Sequence, residues 1–358
     1  MKIALLIIIV IHGLIHLLGF LKGFNLLQLS ELSISISRGQ ALVWMGTGIV
    51  LIISSVLLLI NSDHWWKVGI AAVIVSQILI VMTWGDAKAG AAANIIIGAA
   101  IIFAYADSSL NTAIEKEIVD LTRKSTGSTQ VISEDMMEDL PQSVQRWISN
   151  SGAVGKEIHS TMDFKHYAKL KLKPDQKEWY NAKAHQYVTT EEPGFLWKID
   201  MEMNPFITVK GRDLYKNGKG SMQMKLASLV SVANVENDDK IDQSTLQRYL
   251  LEMAWYPWAA LSPYITWEEL GDHSARATMN YKGATGTADF FFNEDGDFFS
   301  SRAWRYDGST DSYLECIGKA NEFSVINGVK IPTDIDVSYV LDDDIFTWYK
   351  VSIYDIKF

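Results

Sequence analysis

One cysteine, Cys316, in 358 residues excludes an internal disulfide and any metal cluster built from thiolates. Positive charge is also scarce. The 32 lysines and arginines are outnumbered by 42 aspartates and glutamates, for a formal net charge of −10. Nucleic acids are held by basic faces, so no nucleic-acid partner is expected. The chain has no Gly-x-Ser-x-Gly, no P-loop and no Gly-x-Gly-x-x-Gly, and His159, His166, His185 and His273 lack zinc-site spacing. Asp342-Asp343-Asp344 lacks the ligand periodicity of a calcium loop and reads as a solvated turn. No metal, cofactor or catalytic residue is therefore expected. Strands and helices do not alternate as βαβ units, which disfavours a parallel nucleotide-binding sheet.

Long apolar runs are abundant. Hydrophobic residues make up 48% of the chain and concentrate before Asp107. A hydrocarbon core about 30 Å thick is crossed by ~20 mostly apolar helical residues. Four segments meet that length: Ile3 to about Phe20, Ala41 to Ile60, Val68 to Trp84 and Ala91 to Ala106. Trp65, Trp66 and Trp84 sit at segment ends, where indoles favour the headgroup layer. The first segment follows Lys2 as a signal peptide would, but it lacks a convincing small-x-small cleavage site and is expected to stay as a helix. Lys22, Arg38 and Lys88 lie on one side, with Lys2 and Lys67 on the other. The positive-inside rule then places both termini, and the domain that follows, outside the cytoplasm of a bacterial inner membrane.

His12 and His16 are four residues apart and share one helix face. That spacing suits a metal or haem pair, a proton relay, or a polar stripe hydrogen-bonded between helices, with Gln77, Asp86 and Asn94 as candidate partners.

Three regions follow from composition: residues 1–107 as membrane helices, 108–139 as a linker and 140–358 as a strand-rich domain. Within the linker, Ile114, Ile118 and Leu121 have helical spacing, and Ser125 to Gln130 reads as a flexible break. Leu140, Val144, Trp147 and Ile148 fit a short docking helix begun at Pro141. From about Ser160 the apolar period drops to two. Phe195, Trp197, Ile199, Met201 and Met203 alternate with Leu196, Lys198, Asp200 and Glu202, and Asn217-Gly218 marks a hairpin turn. Further hairpins are expected around Asn293 to Gly296 and Leu341 to Asp344. A helix capped at Ser244 and running to about Trp255 interrupts the strands, and the Tyr, Trp and Pro residues up to Ile265 read as an aromatic lid. The expected fold is thus α+β: a four-helix transmembrane bundle, then a curved antiparallel half-barrel with a helical lid.

The candidate ligand-binding residues come from this domain. Arg248 and Glu252 fit either an acid/base pair or a plain i, i+4 ion pair, and Asp213 is a further candidate. Arg302 and Trp304 share a strand face and suit an anionic head group or simple stacking. Met222 and Met224, with Met201 and Met203, would line an apolar groove under a lid of Trp255 and Trp258, or fill a closed core.

Several blocks carry a family resemblance. They include Leu140-Pro141, Val144-Gln145-Arg146-Trp147, Pro193-Gly194-Phe195-Leu196-Trp197, Gly211-Arg212-Asp213, Arg248-Tyr249-Leu250-Leu251-Glu252-Met253-Ala254-Trp255-Tyr256-Pro257 and Gly328-Val329-Lys330-Ile331-Pro332-Thr333. Together they resemble an uncharacterised bacterial membrane-protein family, the domain of unknown function numbered 6544 (also 6920), which implies no activity. By pattern alone the hairpins are similar to periplasmic lipoprotein-carrier half-barrels, whose grooves hold acyl chains. The expected function is accordingly a membrane-anchored module binding a lipid-like apolar ligand. The alternatives are an enzyme on an anionic envelope substrate and a structural or sensory component. The lipid bilayer and that ligand are the expected partners; no protein partner is indicated.

Overall fold

A computed structural model of the chain describes residues 2–27, 33–123, 130–205, 207–342 and 344–358. Residues 125–129 of the expected flexible break, and Asp343 of the acidic turn, lie outside the described residues. The chain divides into two compact units, Met1–Asn111 and Thr112–Phe358.

The first unit is built from α1 (Lys2–Gly23), α2 (Arg38–Leu59), α3 (Trp65–Met82), the single turn α4 (Trp84–Ala87) and most of α5 (Gly90–Thr122). Of these, α1, α2, α3 and α5 are long and apolar enough to cross a membrane, and the chain is read as a membrane protein. Ser37 begins α2 with a capping box, its hydroxyl accepting from Gln40 N while the Gln40 side chain accepts from Ser37 N. Glycines let α1 and α2 approach closely, since a Cβ at Gly48 would sit 2.7 Å from the Gly13 carbonyl oxygen. Outward-facing side chains such as Ile3, Ile74 and Ile95 are exposed and apolar, the surface that hydrocarbon solvates.

The fourth span outruns its expected end at Ala106. No proline or glycine lies between Gly98 and Gly127, so nothing in the backbone chemistry stops the helix, and α5 continues to Thr122. Its last turns belong to the second unit, where Ile114, Ile118 and Leu121 are buried.

The second unit is one curled antiparallel half-barrel of 13 strands. Its first limb holds β1 (Thr161–Leu170), β2 (Tyr180–Thr189), β3 (Gly194–Asn204), β4 (Ile207–Lys216), β5 (Lys219–Leu226) and β6 (Val230–Val235). The second limb holds β7 (Ile265–Gly271), β8 (Ser274–Tyr281), β9 (Ala284–Phe292), β10 (Phe298–Asp307), β11 (Ser312–Ile326), β12 (Val329–Leu341) and β13 (Asp344–Lys357). Each limb is a meander of hairpins. The Asn217-Gly218 turn has φ of 53° and 76°, the left-handed pair that such a turn needs. The limbs join because β13 returns to pair with β1, with Ala168 opposite Val351. Helix α6 (Gln142–Asn150) buries Val144, Trp147 and Ile148, with Trp147 packed on Phe290, Phe292 and Phe298. The last turns of α5 cover the outer side of β3 and β4. Glu115 pairs with Lys198, Glu117 holds Arg212 through two bonds of 2.8 and 3.0 Å, and Asp120 pairs with Lys216. Leu196, expected on a solvated face, is consequently buried.

Between the limbs comes α7 (Asp239–Leu251), which touches β4 and β5 on one flank and β8, β9 and β10 on the other. Only the concave side of a curled sheet gives both contacts. The helix starts five residues before the expected Ser244 cap, because Asp238 accepts from Lys240 N and caps it instead. Ser244 lies within α7, its hydroxyl bonded to the Tyr306 carbonyl. Two 3₁₀ turns follow, Met253–Trp255 and Pro257–Leu261, and Ile265 belongs to edge strand β7 rather than to a lid. A Cβ at Gly220 would lie 2.4 Å from Thr245 Oγ1, so α7 sits tightly on β5.

Candidate functional site

Alternation along β4 turns Val209, Gly211, Asp213 and Tyr215 toward the concave side. Helical spacing puts Ser244, Arg248 and Glu252 on one face of α7. Where these faces meet, Arg248 Nη1 donates to Asp213 Oδ2 at 2.6 Å and Nε to Glu252 Oε1 at 2.7 Å. Its Nη2 donates to Gln186 Oε1 at 3.3 Å, and Gln186 Nε2 donates to Glu252 Oε2 at 2.6 Å. The guanidinium carbon lies 4.7 and 4.9 Å from the rings of Phe195 and Trp197. Burial works against the Arg248 charge, but the carboxylates of Glu252 and Asp213 outweigh it and hold the guanidinium more firmly charged than usual.

The network carries one cation against two carboxylates, so it is not a free anion anchor. Arg248, Asp213 and Glu252 side chains are only 14–16% exposed, so the network is largely withdrawn from solvent. Mechanically it ties α7 to β2 and β4.

A family model, described as a family of unknown function (DUF6920), matches residues 138–358, more than half of the chain. The chain belongs to that family. No curated protein matches it. The DUF6920 region starts just ahead of α6 and contains all 13 strands, α7 and the whole Arg248 network.

Sequence reasoning brought Arg248, Glu252 and Asp213 forward, and the fold brings them together. It missed Gln186, His166 and Tyr349. The available signal was β2's inward row, Ala182, Ala184, Gln186 and Val188, where a fully buried glutamine interrupts apolar residues. His166 Nδ1 lies 3.1 Å from the Tyr349 hydroxyl, and its ring stacks on Phe164 and meets Trp255 edge-on.

Burial, with Arg248 and His185 adding repulsion, lowers His166 to a pKa of about 3. Unfolded chain binds this proton below about pH 6.5 and folded chain does not, so stability falls as pH drops through that window toward 3. The expected loss by the acid end is on the order of 5 kcal/mol. Between pH 6.5 and 5, before carboxylates intervene, His166→Phe should flatten the dependence of urea unfolding on pH; an unchanged slope would exclude His166 as its source.

The other candidates separate. Arg302 and Trp304 lie on the outer face of β10, Trp304 being 63% exposed, so they do not join Arg248. Arg302 is held by Asp289 and Glu315, both at 3.4 Å, and stacks over Phe291. The inward residues of that strand are Ser301, Ala303 and Arg305. Trp255 and Trp258 are buried: the Trp255 indole donates to the Pro332 carbonyl at 3.0 Å, and Trp258 packs on His159 and Phe358. They fill the core rather than cover a groove. Met222 and Met224 face inward on β5 and stay partly exposed, as Met203 does on β3, whereas Met201 is buried.

Within the first unit, His12 Nε2 lies 2.9 Å from Asn94 Oδ1 and 3.0 Å from Ser76 Oγ, and Asn94 Nδ2 donates to Gln77. His16 Nδ1 lies 2.9 Å from the His12 carbonyl. Gln77 and Asn94 thus join the histidine cluster, whereas Asp86 accepts from Ser33 and the Ile34 amide elsewhere. Among the described residues, no three His, Cys, Asp or Glu side chains gather as metal ligands.

Proposed function

We propose that the strand-rich unit is a membrane-tethered binding module for an amphiphilic, lipid-like molecule taken up on the concave face beside α7. The observation that carries this reading is the pairing of two surfaces. Met203, Met222, Met224 and Leu226 form a partly exposed apolar rim on β3 and β5, and Met222 stands opposite Asp213 of the Arg248–Asp213–Glu252 network. Flexible methionines adapt to varied apolar shapes, while the network offers hydrogen bonds to uncharged polar groups of the ligand. Covalent attachment to four apolar helices gives such a module direct access to lipid. The charge bias of the short loops supports a place outside the cytoplasm of a bacterial cell, at the inner membrane. An enzymatic reading has less support, since Arg302 stands apart from Arg248, Glu252 and Asp213.

Native mass spectrometry of the full-length protein tests this. One dominant lipid-like adduct is expected on the wild type and should be lost from the double variant Met203→Glu/Met224→Glu. An adduct kept equally by both would belong to the helices and sink the reading, as would a wild type that carries none and takes up none from added lipid.

A further inference from the structure

We propose that Arg305 receives the anionic end, a carboxylate or phosphate, of an amphiphile held on the concave face. The inference rests on the amphiphile reading above and names the chemistry of the ligand's head.

Alternation along β10 leads to it: Ser301 and Ala303 are buried inside, Arg302 and Trp304 are exposed outside, and Arg305 follows inside. There its Nε donates to the Ser244 carbonyl of α7 at 3.1 Å, and Nη1 lies 3.9 Å from Cys316 Sγ, a weak acceptor. Among the described residues, no carboxylate lies within ion-pair distance of this guanidinium. Its neighbours do not supply one in disguise. Burial pushes the Tyr339 hydroxyl up to about 12 and raises the Cys316 thiol, so both are neutral at physiological pH.

Ser244 and Arg248 stand on successive turns of α7, ~6 Å apart along its axis, and Arg248 has two carboxylates while Arg305 has none. An anion approaching Arg248 meets Asp213 and Glu252; at Arg305 it meets an uncompensated charge. A guanidinium presents five donors in a planar fork matched to carboxylate or phosphate, and here most of that fork is unused. Arg305 as a residue is half-buried rather than sealed in the core. Tyr339, stacked on Trp348 at 5.8 Å, offers a neighbouring aromatic wall for the apolar portion.

The test uses full-length protein in neutral maltoside micelles with a diazirine-bearing long-chain carboxylic acid and its methyl ester, cross-links being mapped to peptides. In the wild type the acid is expected to label the strand-rich unit roughly tenfold more than the ester. Arg305→Gln should abolish that preference and leave ester labelling unchanged, with the thermal transition retained. If acid and ester label the wild-type unit equally, the Arg305 assignment fails and the amphiphile reading stands. If neither labels the unit, both fail together. Suppression of acid labelling by acetate or inorganic phosphate would mean that Arg305 takes a small free anion, overturning the amphiphile as its source. Should Arg305→Gln not fold, the wild-type comparison of acid and ester still decides.

Discussion

Replacing Arg248 by methionine is expected to destabilise the strand-rich unit by about 3–5 kcal/mol, because Asp213 and Glu252 would be left facing each other without their cation. Gln186 cannot compensate, since its amide nitrogen already serves Glu252. Loss of the cation also removes the tie between α7 and β4, leaving the Gln186–Glu252 bond as the link to β2. Restoring balance should restore stability: the triple variant Arg248→Met/Asp213→Leu/Glu252→Met removes all three charges and should recover most of the loss, as apolar replacements of buried ion networks commonly do. Urea unfolding of the full-length protein, followed by β-sheet circular dichroism, measures both. A cost below ~1 kcal/mol for the single variant would put the network in the class of exposed surface pairs and end its role as a brace.

Trp255→Ala and Trp304→Ala should differ sharply, although the two tryptophans stood together as binding candidates in the sequence. Trp255 is buried against Phe164 and His166 and donates to the Pro332 carbonyl, so its truncation leaves a cavity and an unpaired acceptor. A loss of about 3–5 kcal/mol is expected. Trp304 lies exposed on the outer face, and its truncation should stay within ~0.5 kcal/mol. Comparable losses for the two would contradict the placing of Trp255 in the core and Trp304 on the outer face of β10.

Legibility in the sequence tracked the range of the interaction. The Asn217-Gly218 hairpin was readable because the positive φ angles are a local demand on two residues. The α6 stripe of Val144, Trp147 and Ile148 was readable because one helical period sorts its own faces. The capping pattern at Ser244 predicts a later start for α7 than the structure shows, because Asp238 supplies a cap further upstream. Alternation puts Leu196 on the solvent face because it reflects one strand and not the end of α5 lying over it.

The candidate site divides the same way. Arg248 and Glu252 are four residues apart and visibly paired, but Asp213 and Gln186 reach them only through strands β4 and β2. Arg302 and Arg305 differ by three positions on one strand, so they face opposite sides and have opposite fates. The sequence alone determined the four apolar helices, the acidic strand-rich region and the antiparallel hairpins, because hydropathy, turn chemistry and periodicity are properties of neighbouring residues. Only the tertiary structure decided that β13 returns to β1, that α7 lies inside the curl, and that Arg248 is neutralised while Arg305 is not. Those outcomes depend on which distant side chains share a buried space, and charge compensation there is a sum over neighbours that no single segment contains.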